Sequence, residues 1–340
     1  MATSSPRLVT VMGATGAQGG SVVTSLLRNP DLFKVRAITR NPLSERAFAL
    51  QNRGVEVVKG DGLNKNEMIN AFQGSWAVFV NIRSNDPALR TPNGPTEVDC
   101  GRIIVEAANE CSVEHFLYSS GPPVSQLTNG ELSLDMMDSK YKIEQVARNS
   151  PNIGHVTVFN AGWYYENLAD PQMADFIGGF PFNADDEGYL TLRLPLTGGD
   201  ERAPFISIQE DYGDLVHGVL LEPEKWAGKL IQGISDMSSF SDLPSIFEKV
   251  TGKKARFIPY PAWQDFPTYD IPDLEEFRGM FDFTQRVQGL YFGAEFDVET
   301  PRKLKEIVQK SVNKTTALKP LMAVDQYFTT MFGNAEVKSQ

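Results

Sequence analysis

Two hydrophobic rhythms alternate along the first half of the chain. Short apolar, β-branched runs occupy 8–12 (LVTVM), 34–39 (KVRAIT), 55–59 (VEVVK), 77–80 (AVFV), 115–119 (HFLYS) and 155–159 (HVTVF). These read as strands. Between them, 17–28, 43–52, 66–72, 96–111 and 140–148 carry apolar positions at helical spacing. Strands separated by helices across short connections predict a parallel sheet with right-handed crossovers and helices on both faces. The expected class is therefore α/β, with a doubly wound sheet.

The second half changes character. Between 163 and 204 come glycines, prolines and aromatics with little period, which suits a pocket wall better than a sheet core. Beyond it, 209–221 and 242–251 read as helices and 229–233 and 254–260 as strands, followed by mainly helical sequence to 328. The expected division is a first domain over 1–160, a smaller α/β substrate or partner lobe over 161–333 interleaved with it, and a frayed tail over 334–340.

Chemistry enters where the first strand meets the first helix. Gly13, Gly16 and Gly19 stand three apart, with Gly20 following. A strand that empties into a helix through such a turn points backbone N–H groups at whatever lies over the helix N-terminus, a favourable place for a pyrophosphate. Small residues also let the backbone approach the ligand and let helix and strand pack closely. That makes the sheet Rossmann-type and the turn, Gly13, Thr15, Gly16, Ala17, Gln18 and Gly19, a dinucleotide site. The first gap holds one residue more than the strict fingerprint.

The second strand ends Thr39-Arg40-Asn41-Pro42. An NAD site usually places a carboxylate there for the ribose 2′-OH, and an NADP site offers an Arg. With no carboxylate to repel a 2′-phosphate and the planar fork of Arg40 to pair with it, the expected cofactor is NADP(H). After the third strand, Asp61, Gly62 and Leu63 suit the adenine, the carboxylate accepting from the amino group and Leu63 packing on the ring. Asn81 closes the fourth strand where the second ribose passes. Each has a local alternative: a solvated Arg40, or turn residues at Asp61 and Asn81.

Composition narrows the setting. The formal charge is −11, which disfavours non-specific binding to nucleic acid or anionic membrane. No run of about 18 apolar residues suggests a membrane span, and the opening MATSSPRLV lacks a basic flank followed by an apolar stretch. The expected location is the cytoplasm, or the nucleus for a regulator. Cys100 and Cys111 fall on one predicted helix, ~16 Å apart along its axis, too far to pair. His115, His155 and His217 lack metal-ligand spacing, so no metal site is expected. Monomer and homodimer both remain open.

Ser119 and Ser120 end the fifth strand and Lys140 opens the next helix. With Gly13-Ala14-Thr15-Gly16-Ala17-Gln18-Gly19-Gly20, Thr39-Arg40-Asn41, Gly60-Asp61, Lys140 and Asn160-Ala161-Gly162-Trp163-Tyr164-Tyr165-Glu166-Asn167, the chain resembles the short-chain dehydrogenase/reductase superfamily. Within it, the chain is similar to the atypical NmrA-like group, neighbour of the isoflavone reductase-like enzymes. Phe205-Ile206-Ser207-Ile208, leading to Asp211 and Asp214, extends the resemblance into the second half. It implies that Ser119, Lys140, Asn160 and Trp163 stand by the cofactor's nicotinamide half. The superfamily's usual Tyr-x-x-x-Lys pair is missing, because Met136 stands four residues before Lys140. Tyr141 cannot replace it, since adjacent helical residues point about 100° apart.

Several functions fit these residues. The first is an NADPH-dependent reductase of a bulky apolar carbonyl, enone or imine compound. Lys140 would assist proton transfer, as the resemblance implies, or Tyr164 or Tyr165 would supply a phenol. The second is an NADP(H)-binding redox sensor that acts through a protein partner, with the Pro/Gly-rich 84–95 segment as its switch. A third is an NADP-dependent, non-redox cyclase or isomerase. The aromatics Trp163, Tyr164, Tyr165, Phe176, Phe180 and Phe182 suit either an apolar ligand wall or core packing.

Overall fold

The computed structural model describes residues 5–312 and 318–333; the tail over 334–340 lies outside them. The first half contributes β1 (Arg7–Met12), β2 (Phe33–Thr39), β3 (Glu56–Lys59), β4 (Ala77–Val80), β5 (His115–Ser120) and β6 (His155–Ala161). The second half adds β7 (Trp163–Tyr164), β8 (Leu190–Leu192), β9 (Arg202–Ile206), β10 (Leu230–Gly233), β11 (Asp236–Ser239) and β12 (Ala255–Phe257). Helices α1 (Ala17–Leu26), α2 (Glu45–Gln51), α3 (Lys65–Phe72), α4 (Glu97–Glu110), α5 (Val124–Leu127) and α6 (Asp135–Arg148) link the first strands. Later come α7 (Tyr165–Leu168), α8 (Pro171–Phe176), α9 (Gly213–Leu221), α10 (Pro223–Trp226) and α11 (Leu243–Thr251). The last three are α12 (Pro272–Arg286), α13 (Glu299–Val312) and α14 (Val324–Phe332).

Seven strands form one parallel sheet in the order β10-β6-β5-β4-β1-β2-β3. This is the doubly wound Rossmann-type arrangement. Alternation along β4 shows why both faces need covering. Ala77 and Phe79 pack with Val22, Val23 and Leu26 of α1 and Leu215 and Val216 of α9, while Val78 and Val80 pack with Met68, Ile104 and Ile143 from α3, α4 and α6. Successive residues of a strand point to opposite faces, so a strand apolar at all four positions needs helices on each side.

The second half does not form a detached unit. Its β10 extends the large sheet as an edge strand beside β6, and α9 and α13 pack with α1 on one face. The remaining elements build a lobe around an aromatic core, with a three-stranded sheet β11-β9-β7 and the pair β12-β8. Strands of two to five residues are too short to show a period, and for that reason 163–204 reads as irregular from sequence. The helix expected over 209–221 opens with a wide π-type turn, Ile208–Tyr212, before α9. Glu166 holds that turn, accepting from the backbone N–H groups of Ile208 at 3.1 Å and Gln209 at 2.9 Å.

Two charge clusters built on buried carboxylates fasten the region of α9, one to α13 within the second half and the other to α1 of the first half. Asp211, with no exposed surface, pairs with Lys305 of α13 and accepts from the Met322 N–H at 2.9 Å. Beside it, Asp214 pairs with Arg28 and accepts from Ser25 Oγ at 2.6 Å. Ser25 Oγ lies 2.9 Å from Nδ1 of His217 and accepts from Arg28. That leaves Nδ1 of His217 as the donor and its Nε2 in an apolar setting, edge-on to Phe33. Burial, aided by the nearby Arg28 charge, pushes the His217 pKa down to about 3.

Replacing one partner of a buried pair strands the other charge. Lys305→Met is expected to cost ~3–5 kcal/mol in urea unfolding, with part recovered in the double variant Asp211→Asn/Lys305→Met; a loss under about 1 kcal/mol contradicts the role given to the pair. The unfolded chain protonates His217 near pH 6.5 and the folded chain only near pH 3. Stability is therefore lost as pH falls through that window, by up to ~1.4 kcal/mol per unit from this group. His217→Asn, which keeps a donor toward Ser25, is expected to flatten the slope between pH 6.5 and 4; identical slopes in the two proteins count against it.

Candidate functional site

The turn after β1 is shaped by close approach. Gly13 has a φ of +74°, a conformation that glycine adopts without strain. A Cβ on Gly19 would lie 2.3 Å from the Gly13 carbonyl oxygen, so α1 starts directly against the turn. Gly16 is the N-cap residue; no side chain caps the helix and no acidic residue occupies its first turn. The N-terminal N–H groups around Ala17 are thus left for a ligand, and the local field favours an anion. Asn81 stands opposite, its carbonyl oxygen 3.2 Å from where a Gly13 Cβ would be. Arg46 of α2 reaches the Thr15 carbonyl at 3.3 Å. This places a second guanidinium beside the turn, one that sequence reasoning missed because α2 carries no motif.

On the β2–β3 side, Arg40, Lys59, Asp61, Leu63, Asn64 and Glu67 line a hollow of about 300 Å³. Asp86, from the segment after β4, pairs with Arg40 at 2.8 Å. Asn41 makes a local turn, accepting from the Leu43 N–H at 3.1 Å, and Asp61 does the same for Leu63 at 3.0 Å. One Asp61 oxygen is thereby spent on its own backbone. Gly62 is buried, and a Cβ there would sit 2.7 Å from Cys100 Sγ and 3.0 Å from Met12 Cε; its lack of a side chain serves core packing. Burial, with Asp61 and Glu97 nearby, pushes the Cys100 thiol up to about 12, so it is no nucleophile.

At the β4–β6 side, the Lys140 ammonium donates to the Ile82 carbonyl and to Glu97, each at 2.8 Å. Its side chain is 12% exposed. Glu97, the first residue of α4 and itself buried, gave no signal in the sequence as a lysine partner. Met136 and Met137 pack on the second lobe's core. Tyr164 accepts from Gln18 Nε2 at 2.6 Å. Burial pushes its pKa up to about 12 against that hydrogen bond, so the phenol stays protonated at neutral pH. Asn160 Oδ1 and Gln18 Oε1 are buried with no hydrogen-bond partner among the described residues. Ser119 is buried at the end of β5.

Two expected site residues turn elsewhere. Trp163 is not at the cofactor side: it packs in the second lobe among Phe240, Phe277, Phe281 and Tyr291, with ring centroids 5.3–5.7 Å away. Tyr165 has no exposed surface and stacks between Phe205 at 5.5 Å and Tyr327 at 5.0 Å, so no substrate meets its hydroxyl. Trp163 and Tyr164 point to opposite faces of β7, Trp163 to the lobe core and Tyr164 toward Gln18 of α1, and Tyr165 opens α7 inside that core. Phe180 is likewise core, whereas Phe182 is exposed. Among the described residues, Glu114, His115 and Glu224 come within common reach of one ion. They lie at the other end of β5 from Ser119, where His115 meets Glu114 and His155 meets Glu224, both at 3.1 Å.

The residues fit a dinucleotide: a glycine turn with an uncapped helix start, guanidinium groups on one side, and unpartnered buried amide oxygens on the other. A model of the NmrA-like family matches residues 5–321. The chain belongs to the NmrA-like family. It is 45% identical over 330 residues to the NmrA-like family domain-containing oxidoreductase lnaB of Aspergillus flavus, covering 96% of this chain and 98% of that protein. It is 44% identical to the oxidoreductase FrzB of a Cladobotryum species, with the same coverage. Among solved structures, NmrA, a negative transcriptional regulator, in complex with NADP superposes with a TM-score of 0.72 at 20% identity, over 97% of this chain and 96% of that one. The NADPH-dependent quinone oxidoreductase of Escherichia coli, complexed with NADPH, gives 0.67 at 20% identity over 95% and 99%. At that identity these two likenesses show the fold.

Proposed function

We propose that this protein is an NADPH-dependent reductase of a bulky apolar carbonyl, enone or imine compound. The observation that carries the reading is a meeting of parts along one sheet edge. An anion-receiving glycine turn flanked by Arg40 shares that edge with two proton-bearing groups, Lys140 and Tyr164. The oxidoreductases that share 44–45% of its residues support it. NADPH, when bound, supplies the hydride. The chain's own part is to hold and to protonate. The N–H groups of the first turn of α1, from Ala17 on, face the pyrophosphate, while the Gly16 N–H closes the turn on the Gly13 carbonyl; Arg40 with Arg46 offers planar donors to the 2′-phosphate. Asp61 and Leu63 border the adenosine hollow. Asn81, Ser119 and Asn160 border the nicotinamide half.

Lys140 has two of its three N–H bonds committed to Ile82 and Glu97. The third is free to hold a ribose hydroxyl or to protonate the substrate. Tyr164 accepts from Gln18 and keeps its own proton to give. The apolar character of the substrate is read from the segment that leads into α12. Glu276 of α12 accepts from the N–H groups of Asp135 and Met136 at 3.1 and 3.2 Å, which sets α12 against the start of α6. The segment leading into α12 presents Tyr269 and Ile271 to solvent, and Tyr269 meets Phe176 at 6.2 Å. Exposed apolar side chains suit a hydrophobic substrate.

The test follows NADPH absorbance with a panel of ketones, enones and imines. The parent protein is expected to turn over at least one class. Removing the proton donor, by Lys140→Ala or Tyr164→Phe, is expected to lower kcat about 100-fold with a smaller change in KM. Bound NADPH without turnover on any class defeats the reductase reading; equal turnover in the parent and both variants defeats the roles of Lys140 and Tyr164.

A further inference from the structure

The segment between β4 and α4 touches both sides of the proposed cofactor site. Near its start, the Ile82 carbonyl holds Lys140. In its middle, Asp86 Oδ2 lies 2.8 Å from the Arg40 guanidinium. Asn85 Nδ2 donates to Asp273 Oδ2 at 3.3 Å, and Arg90 pairs with the other Asp273 oxygen, so the same segment is tied to the first turn of α12 in the second lobe. Thus the nine residues 82–90 join the expected 2′-phosphate residue, the expected proton donor and α12 of the second lobe.

Asp86 is fixed in this place. Its side chain is only 14% exposed, and its Oδ1 accepts from the Ala88 N–H at 3.0 Å, capping the tight turn Pro87–Leu89. Arg40 is 59% exposed, so a ligand can reach the guanidinium that Asp86 holds. We infer that Asp86 is a specificity-determining residue whose carboxylate takes the place of the 2′-phosphate on Arg40, so that a phosphorylated dinucleotide displaces it and an unphosphorylated one does not. This rests on the reading of Arg40 as the 2′-phosphate residue.

Two anions compete for one cation. A carboxylate brings one negative charge; a phosphate monoester brings nearly two and three acceptor oxygens. An ion pair with one exposed partner contributes ~0–1 kcal/mol, so the resident pair yields to the stronger anion. Once the phosphate is on Arg40, Asp86 stands beside a like charge in a confined place and must move away. Its displacement carries the 82–90 segment, which also holds Lys140 through Ile82 and α12 through Asp273. The two cofactors thereby differ in what they do to the substrate side as well as in affinity. By linkage, whatever holds that segment in its displaced form tightens NADPH by the same factor.

Asp86→Asn tests this cleanly, because the amide oxygen still caps Ala88 while the competing charge is gone. NADPH and NADH are titrated by fluorescence against the parent and the variant, and backbone amide exchange over 83–91 is followed in the parent with each cofactor. Expected are an NADPH affinity three- to tenfold tighter in the variant, an NADH affinity unchanged within twofold, and exchange over 83–91 altered by NADPH alone. Equal effects on both cofactors, no change in NADPH affinity, or the same exchange pattern with NADPH and NADH overturns the inference. A parent that prefers NADPH while Asp86→Asn is silent fails the inference alone. A parent that binds the two cofactors equally removes the Arg40 reading and the inference with it.

Discussion

Everything at the site depends on how closely α1 approaches the end of β1. With a Cβ on Gly19 only 2.3 Å from the Gly13 carbonyl, any side chain there pushes the helix off the turn. The N–H groups would then no longer point to one place. Gly13 adds the second constraint, its positive φ turning the chain away from the sheet beside Asn81. Together they leave a helix start without a cap in contact with the sheet's C-terminal edge. That edge is where open α/β sheets collect ligands, because the crossovers diverge there.

The second lobe is built on the same edge and held to it by charge. Asp211–Lys305 and Asp214–Arg28 sit between α1, α9 and α13, on the face of the sheet opposite Lys140's helix. Burial makes the Asp211–Lys305 pair costly to break one side at a time, and Asp214–Arg28 ties α9 to the end of the turn helix. On the other face, Glu97 and the Ile82 carbonyl position Lys140, and Glu276 ties α12 to the start of α6. The cofactor side is therefore framed by rigid elements on both faces, and the segment after β4 links the two.

Much of this was legible in the chain. The alternation of strand and helix patterns gave the parallel sheet, and the glycine spacing marked the turn. Arg40 in place of a carboxylate pointed to the phosphorylated cofactor. What stayed hidden was pairing at a distance. Lys140 finds Glu97 across 43 positions, Arg40 finds Asp86 across a loop, and Arg46 reaches Thr15 from a helix with no motif. Trp163 and Tyr164 could have been sorted by the period of two in an extended segment, had the two-residue strand β7 been long enough to show it. Burial, rather than residue type, separates the enclosed Trp163 and Tyr165 from the half-buried Tyr164.

The central claim is that the turn and Arg40 together form a site for a 2′-phosphorylated dinucleotide. Arg40→Glu, with equilibrium binding of NADPH and NADH measured side by side, tests it most directly. The charge reversal is expected to weaken NADPH at least tenfold, about 1.4 kcal/mol, and to leave NADH within about twofold. NADPH affinity unchanged by the reversal would contradict it.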